Sequence, residues 1–199
     1  ENVKVAKDGE GTVNDKNDQP ITTKAAAKIG EVKYITLADA VKAAPANATE
    51  ATTITLLENV TDGAGIFLAA TDKKKIIIDM DGHSYTGVGP AVGSTGTSNQ
   101  LFHIEKGNTF TLKNSDSNQG GTVSIASEKA NLFRFIIQNY ADLTLENVTI
   151  DGTGLSYNTD GKSYTYALSN NCGIVYLNGT TSIKASTTSE LNNYAFDVC

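Results

Sequence analysis

Between Leu101 and Gly152 apolar and polar residues alternate in short bursts that recur along the chain. Phe102 and Ile104 are followed by Phe110, Leu112 and Asn114. At an offset of 33, Phe135, Ile137, Leu143, Leu145 and Asn147 repeat the pattern. A weaker third copy, offset by 40 from the second, reads Val175, Leu177, Ile183, Ala185 and Thr187. Alternation with period two is the signature of a strand that buries one face. A unit repeated every few tens of residues buries its apolar stripe only against the next copy, which points to a solenoid. The strands are short, are separated by Gly, Asn and Asp, and leave no room for a crossover helix between 101 and 152. The pattern therefore predicts an all-β chain wound as a parallel β-helix. A third face fits as well: Val123 and Ile125 follow Phe110 by 13, and Phe196 and Val198 follow Ile183 by 13. In the middle coil Val148 and Ile150 follow almost directly, as a solenoid with variable loops permits.

Upstream, Ile54 and Leu56 recur as Ile76 and Ile78 at an offset of 22, the length of a compact three-strand coil. Before them the period changes. Leu37, Ala40, Val41 and Ala44 form one narrow helical face, with Thr36 as N-cap, Asp39 three residues on and Pro45 as the stop. A short helix over about 36–44 is expected to cover the open N-terminal end of the solenoid. Residues 1–27 are polar, broken by Gly and Pro, with a brief alternation at Val3 and Val5. They read as a leader, a linker or an edge strand, which leaves 28–199 as the solenoid domain. Residues 87–100 read as a protruding loop, 153–172 as a long loop and 188–193 as a short one. The repeat breaks off after Val198 in mid-coil, so the solenoid is expected to continue beyond Cys199.

Composition narrows the function. The 199 residues carry a net charge of −6 and a single arginine, Arg134. Affinity for nucleic acid comes mostly from basic side chains on phosphates, so no nucleic-acid partner is expected. The run Lys73-Lys74-Lys75 reads as a solvated edge leading into the Ile76 strand. No apolar run is long enough to span a bilayer. Cys172 and Cys199, 27 residues apart, sit near one coil length, so a disulfide between stacked neighbours and a pair of free thiols both remain open.

The order Tyr34-Ile35-Thr36-Leu37-Ala38-Asp39-Ala40-Val41, then Thr53-Ile54-Thr55-Leu56-Leu57, then Ile76-Ile77-Ile78-Asp79-Met80-Asp81-Gly82-His83 resembles a pattern in secreted and wall-attached proteins of gut bacteria. These look like pectate-lyase-type (pectin lyase-like) parallel β-helices of adhesin-like surface proteins. The likeness covers about residues 28–87 by motif and the rest by repeat style. It departs at Met80 and Asp81, where leucine and asparagine are usual. The resemblance implies a right-handed β-helix, export from a bacterium and a secreted or cell-surface setting. It implies no reaction.

Lyases of this fold use acidic residues to hold calcium and a basic residue to remove a proton. Asp79 and Asp81 lie on one strand face and are the candidates for holding calcium. Oxygen ligands for that ion must number six to eight, and the bland reading is an Asp-Gly turn closing the Ile78 strand. Arg134 reads as an outward surface or ion-pair residue. Asn158-Thr159-Asp160 is similar to the first acidic motif of polygalacturonases, whose companion motifs are missing here, and glycosidases need a carboxylate pair. His83 and His103 lack a nucleophilic arrangement, and His103 alternates with Phe102 and Ile104 and so points outward. Asn114 and Asn147 are expected to stack as a corner ladder, each bonded to its copy in the next coil. The candidate contact site is the loop bearing Tyr157, Asn158, Asp160, Tyr164 and Tyr166, since tyrosine offers sugars or proteins a flat apolar face with a polar end. The favoured reading is a non-catalytic structural or adhesive domain that contacts host or cell-surface protein or glycan (carbohydrate binding) through its lateral loops, with no catalytic residue and no resident cofactor. A polysaccharide-processing lyase or glycoside hydrolase is the alternative, and an ice- or mineral-binding face ranks third because threonines do not recur at one position.

Overall fold

A computed structural model describes residues 12–14, 20–22, 24–116, 118–158, 164–188 and 192–198. β1 (Thr12–Asn14) and β2 (Pro20–Thr22) pair antiparallel. β3 (Ala27–Ile29) and β4 (Val32–Tyr34) form a second antiparallel pair, and β3 also pairs antiparallel with β5 (Thr52–Leu56). Between them and β5 lies α1 (Leu37–Ala43). The Asp39 N–H donates to Thr36 Oγ1 (3.0 Å), and the hydroxyl in turn donates to Asp39 Oδ2 (2.7 Å). That closes the first turn, and Leu37, Ala40 and Val41 are buried in the core. At the other end Lys74 Nζ donates to the carbonyls of Val41 (2.8 Å) and Lys42 (3.2 Å).

From β5 onward the chain winds in repeated three-strand coils. The coils are β5, β6 (Val60–Gly63), β7 (Ile66–Leu68); β8 (Lys75–Asp79), β9 (Tyr85–Gly87), β10 (Gln100–Ile104); β11 (Thr109–Lys113), β12 (Thr122–Ile125), β13 (Phe135–Asn139); β14 (Asp142–Glu146), β15 (Thr149–Asp151), β16 (Tyr164–Asn170); and β17 (Ile174–Asn178), β18 (Ser182–Lys184), β19 (Asn192–Val198). Each strand pairs in parallel with its counterpart one coil on, giving three sheets. Sheet I holds β5, β8, β11, β14 and β17, extended beyond β5 by the antiparallel β3 and β4; sheet II holds β6, β9, β12, β15 and β18; sheet III holds β7, β10, β13, β16 and β19. The chain is thus an all-β parallel solenoid. Its inner rows run coil to coil: Ile76, Phe110, Leu143 and Val175 in sheet I, Tyr85, Val123, Ile150 and Ile183 in sheet II, Ile66, Phe102, Ile137, Leu168 and Phe196 in sheet III. They merge into one core that the last coil leaves open, with Leu177, Phe196 and Val198 exposed.

The register corrects several sequence-based pairings. Phe110 and Leu112 do stack on Leu143 and Leu145 at an offset of 33. Phe102, however, pairs with Ile137 rather than Phe135, and Ile54 pairs with Ile78 rather than Ile76. Val175 and Leu177 continue the Leu143 and Leu145 row, Ile183 stacks on Ile150, and Phe196 stacks on Leu168. A slip of two residues preserves period-two alternation, so connections of unequal length shift the register without leaving a mark on the pattern. The supposed loop 153–172 ends early, because Tyr164–Asn170 is a full strand of sheet III, and the loop before the last strand yields to β19 at Asn192.

Asn114 and Asn147 occupy equivalent corners but do not form the expected ladder. Asn114 accepts from Gly82 N–H (2.8 Å) and donates to Asp116 O (2.6 Å) and Gln119 O (2.8 Å), whereas Asn147 Oδ1 accepts from Thr180 N–H (3.0 Å). The seven-residue excursion after Asn114 draws its amide into its own turn. A buried asparagine ladder exists elsewhere, at the exit of sheet III: Asn139 Nδ2 donates to Asn170 Oδ1 (2.7 Å) and to Ala141 O (2.9 Å). Threonines do recur in register, Thr111 with Thr144 and Thr122 with Thr149, although Ile77 and Tyr176 interrupt the first row.

Candidate functional site on the outer face of sheet III

Alternation resets near the start of the sheet III strands. Leu101 with Phe102, Ile136 with Ile137, and Ala167 with Leu168 are adjacent residues that all join the core. Room for Leu101 comes from Gly87, where a Cβ would lie 2.6 Å from Leu101 Cδ1. The reset turns Gln100 to the same outer side as His103, whose Nδ1 lies 3.0 Å from Gln100 Oε1. Two outer rows result: Gln100, Phe135, Tyr166, Tyr194, and alongside it Phe67, His103, Gln138, Ser169, Asp197. Neighbouring coils are about 4.8 Å apart.

The first row is an aromatic stack. Phe135 and Tyr166 lie with ring centroids 5.1 Å apart and planes 5° from parallel, and Tyr166 and Tyr194 at 4.9 Å and 14°. Exposure rises along it, from 9% at Phe135 to 44% at Tyr194. Tyr164 meets Tyr166 edge-on at 5.5 Å. Burial and the Asp197 carboxylate push the Tyr166 hydroxyl above its usual value.

Beside the stack the Arg134 guanidinium lies 4.5 Å from the ring centroids of both Tyr157 and Tyr164, and its Nη1 reaches the Tyr164 hydroxyl at 3.4 Å. Arg134 is 4% exposed, which corrects the surface reading. Cation–π contact with two rings offsets part of the cost of burying the charge there. The predicted Tyr157, Tyr164 and Tyr166 are therefore brought together, Asn158 is exposed beside them, and Asp160 lies outside the described residues.

The second row holds His103, which points outward as its alternation indicates yet is only 1% exposed. Phe67 and Tyr140 flank its ring at centroid distances of 5.2 Å and 5.5 Å. Its Nε2 lies 3.5 Å from Glu105 Oε1, and Glu105 Oε2 accepts from Ala70 N–H (2.7 Å). Burial lowers the His103 pKa against the opposing pull of Glu105 and of the hydrogen bonds from Glu105 and Gln138, which favours the uncharged ring. A recess of about 300 Å³ opens here, lined by Ala70, Ser94, His103, Glu105, Lys106 and Tyr140. Ser94 shares the recess but is no nucleophile for this imidazole, since one ring nitrogen faces Gln100 and the other Glu105.

Asp79 and Asp81 stand on the other side of the molecule. Asp79 Oδ1 accepts from the N–H groups of Asp81 and Ser115 (both 3.1 Å) and Oδ2 pairs with Lys113 (3.1 Å), while Asp81 Oδ1 accepts from Ser115 Oγ (3.1 Å). Burial raises the Asp79 pKa, but these bonds outweigh it and hold the carboxyl below its usual range. Their work is closing the turn. Among the described residues no group of three or more His, Cys, Asp or Glu side chains is placed to hold a metal ion, and no helix is long and apolar enough to cross a membrane. Cys172 carries a free, exposed thiol, and Cys199 lies outside the described residues.

Sequence reasoning missed Phe135, Tyr194, His103 with Glu105, and Tyr140 as parts of one face. The available signal was three aromatics, Phe135, Tyr166 and Tyr194, separated by 31 and 28 residues, each close to a coil length. No family model matches the chain, and the searches of curated proteins and of solved structures likewise found no match.

Proposed function

We propose that the chain is a right-handed β-helix of an exported, cell-surface protein whose sheet III face binds glycan without cleaving it, in a structural or adhesive role. The observation that carries this reading is the aromatic stack Phe135, Tyr166, Tyr194 running beside the polar row His103, Gln138, Ser169, Asp197. Aromatic edges with outward hydroxyls next to amide, hydroxyl and carboxylate groups match the mixed apolar and hydroxylated surface of a sugar chain laid along the solenoid axis. Right-handedness rests on the strong preference of parallel crossovers for that hand. In the same reading α1 caps the N-terminal end of the core, and a further coil covers the exposed Leu177, Phe196 and Val198.

The test is a binding screen of the intact chain against neutral and acidic polysaccharides, by affinity electrophoresis and then titration calorimetry. Tyr166→Ala and Tyr194→Ala are each expected to weaken a retained glycan by about tenfold. Wild-type protein that retains none, or variants that bind like wild type, would overturn the reading.

A further inference from the structure

The recess at His103 has an unusual hydrogen-bond inventory. Gln100 Nε2 donates to Thr97 O and Asn99 Oδ1 (both 2.6 Å), so its Oε1 is the acceptor and His103 Nδ1 is the donor. In the neutral ring Nε2 then carries no proton, and the Gln138 side chain also bonds the imidazole. Nε2 faces Glu105 Oε1 at 3.5 Å, and that oxygen too is an acceptor. Two acceptors thus meet at the wall of a recess with no proton between them. Such a pair is satisfied by a ligand that brings the protons, and a sugar hydroxyl pair does so while its ring packs on Tyr140. The charged and titratable groups around the imidazole are Glu105, Lys106 and Tyr140, with Phe67, Gln100, Gln138 and Ser94 completing its surroundings. Glu105 and Lys106 balance in sign, which favours an uncharged sugar over a uronate or an amino sugar.

We infer that this recess is the subsite of the sheet III face that takes adjacent hydroxyls of a neutral glycan while His103 is uncharged, and releases them once His103 is protonated and donates its own Nε2–H to Glu105. The inference rests on the glycan-binding reading above and adds to it a ligand class and a control by pH. The ring packs against Phe67 and Tyr140 and is tied to Gln100, so protonation is expected to change the donors in the recess rather than the shape of the face.

The experiment titrates the intact chain with short neutral oligosaccharides of the gluco, manno, xylo and galacto series at about pH 7.5 and about pH 5. The expected result is binding of at least one series at the higher pH that weakens about tenfold at the lower. His103→Gln and Glu105→Gln are both expected to bind more weakly and to lose that pH dependence, with thermal melting confirming that each is folded. Glu105 is the more exposed of the two and keeps the test usable if the histidine variant unfolds. Neutral-sugar binding that ignores pH, or a Glu105→Gln variant that keeps the full dependence, overturns the inference and leaves the glycan reading standing. Preference for an acidic oligosaccharide over every neutral series does the same. Absence of binding to any glycan at the higher pH overturns both.

Discussion

Sheets I and III are cut from the same coils, yet they turn different chemistry outward. On sheet I the outer columns answer their own neighbours. Asp79, Lys113 and Glu146 stand in register with alternating sign, Lys113 bonding Asp79 at 3.1 Å, and Thr111 stands beside Thr144. On sheet III the outer columns are rings, an imidazole, amides and a carboxylate, walled by Tyr140, Tyr157 and Tyr164. The inner rows of the two sheets are interchangeable runs of Ile, Leu, Val and Phe. The difference teaches that the inner rows decide the winding while each outer row is free to carry its own chemistry. Recognition is therefore sought on the face whose groups are not already answered from the next coil.

The largest expected contrast is in packing. Phe135→Ala removes a nearly buried ring stacked on Tyr166 and is expected to cost about 3 kcal/mol of unfolding free energy. Thr111→Ala, mid-column on sheet I, is expected to stay within about 0.5 kcal/mol. Urea denaturation of both variants measures the difference, and equal costs would mean that the aromatic column is no more integral to the fold than the threonine one.

A second contrast sets the buried asparagine ladder against the Lys113–Asp79 ion pair. Asn139→Ala strips the Ala141 N–H, the Ala141 carbonyl and Asn170 Oδ1 of a partner inside the protein, and is expected to cost about 2 kcal/mol. Lys113→Ala removes a one-third exposed lysine from buried Asp79, which keeps the N–H groups of Asp81 and Ser115, and is expected to cost about 1 kcal/mol or less. Denaturant midpoints in the reverse order would show that sheet I, not sheet III, holds the coils in place.

Much of this was legible in the chain. Phe110, Leu112, Leu143 and Leu145 announce parallel stacking because their connecting segments happen to keep one offset. Thr36, Asp39 and the Leu37, Ala40, Val41 face announce the helix. Register in sheets II and III, and between β5 and β8 of sheet I, was not legible, since a two-residue slip leaves alternation intact and the connections before β10 and β16 are long. The site suffered most from that. Tyr166 and Tyr164 look like loop residues while β16 goes unrecognised, and without the register nothing aligns Phe135 with Tyr194 or sets Tyr140 against His103. Arg134 reads as a surface residue because a single arginine carries no trace of the two rings that will pack against it.

The smallest expected effect separates the two faces by acid. Burial lowers the pKa of His103 on sheet III below 6.5, and the bonds from Lys113, Ser115 and Asp81 outweigh burial to hold Asp79 on sheet I below 3.8. Both values are depressed, so the unfolded chain binds each proton more readily than the folded one. Each group therefore contributes stability that is complete above its unfolded value and is lost as the pH falls through its folded value. For His103 the loss begins below 6.5, and for Asp79 only below 3.8. Melting temperature followed downward from neutral pH should fall in two stages, the upper one absent in His103→Gln and the lower one reduced in Asp79→Asn. An upper stage that survives in His103→Gln would mean that the acid sensitivity does not reside in the sheet III recess, and the comparison between the two faces would lose its electrostatic half.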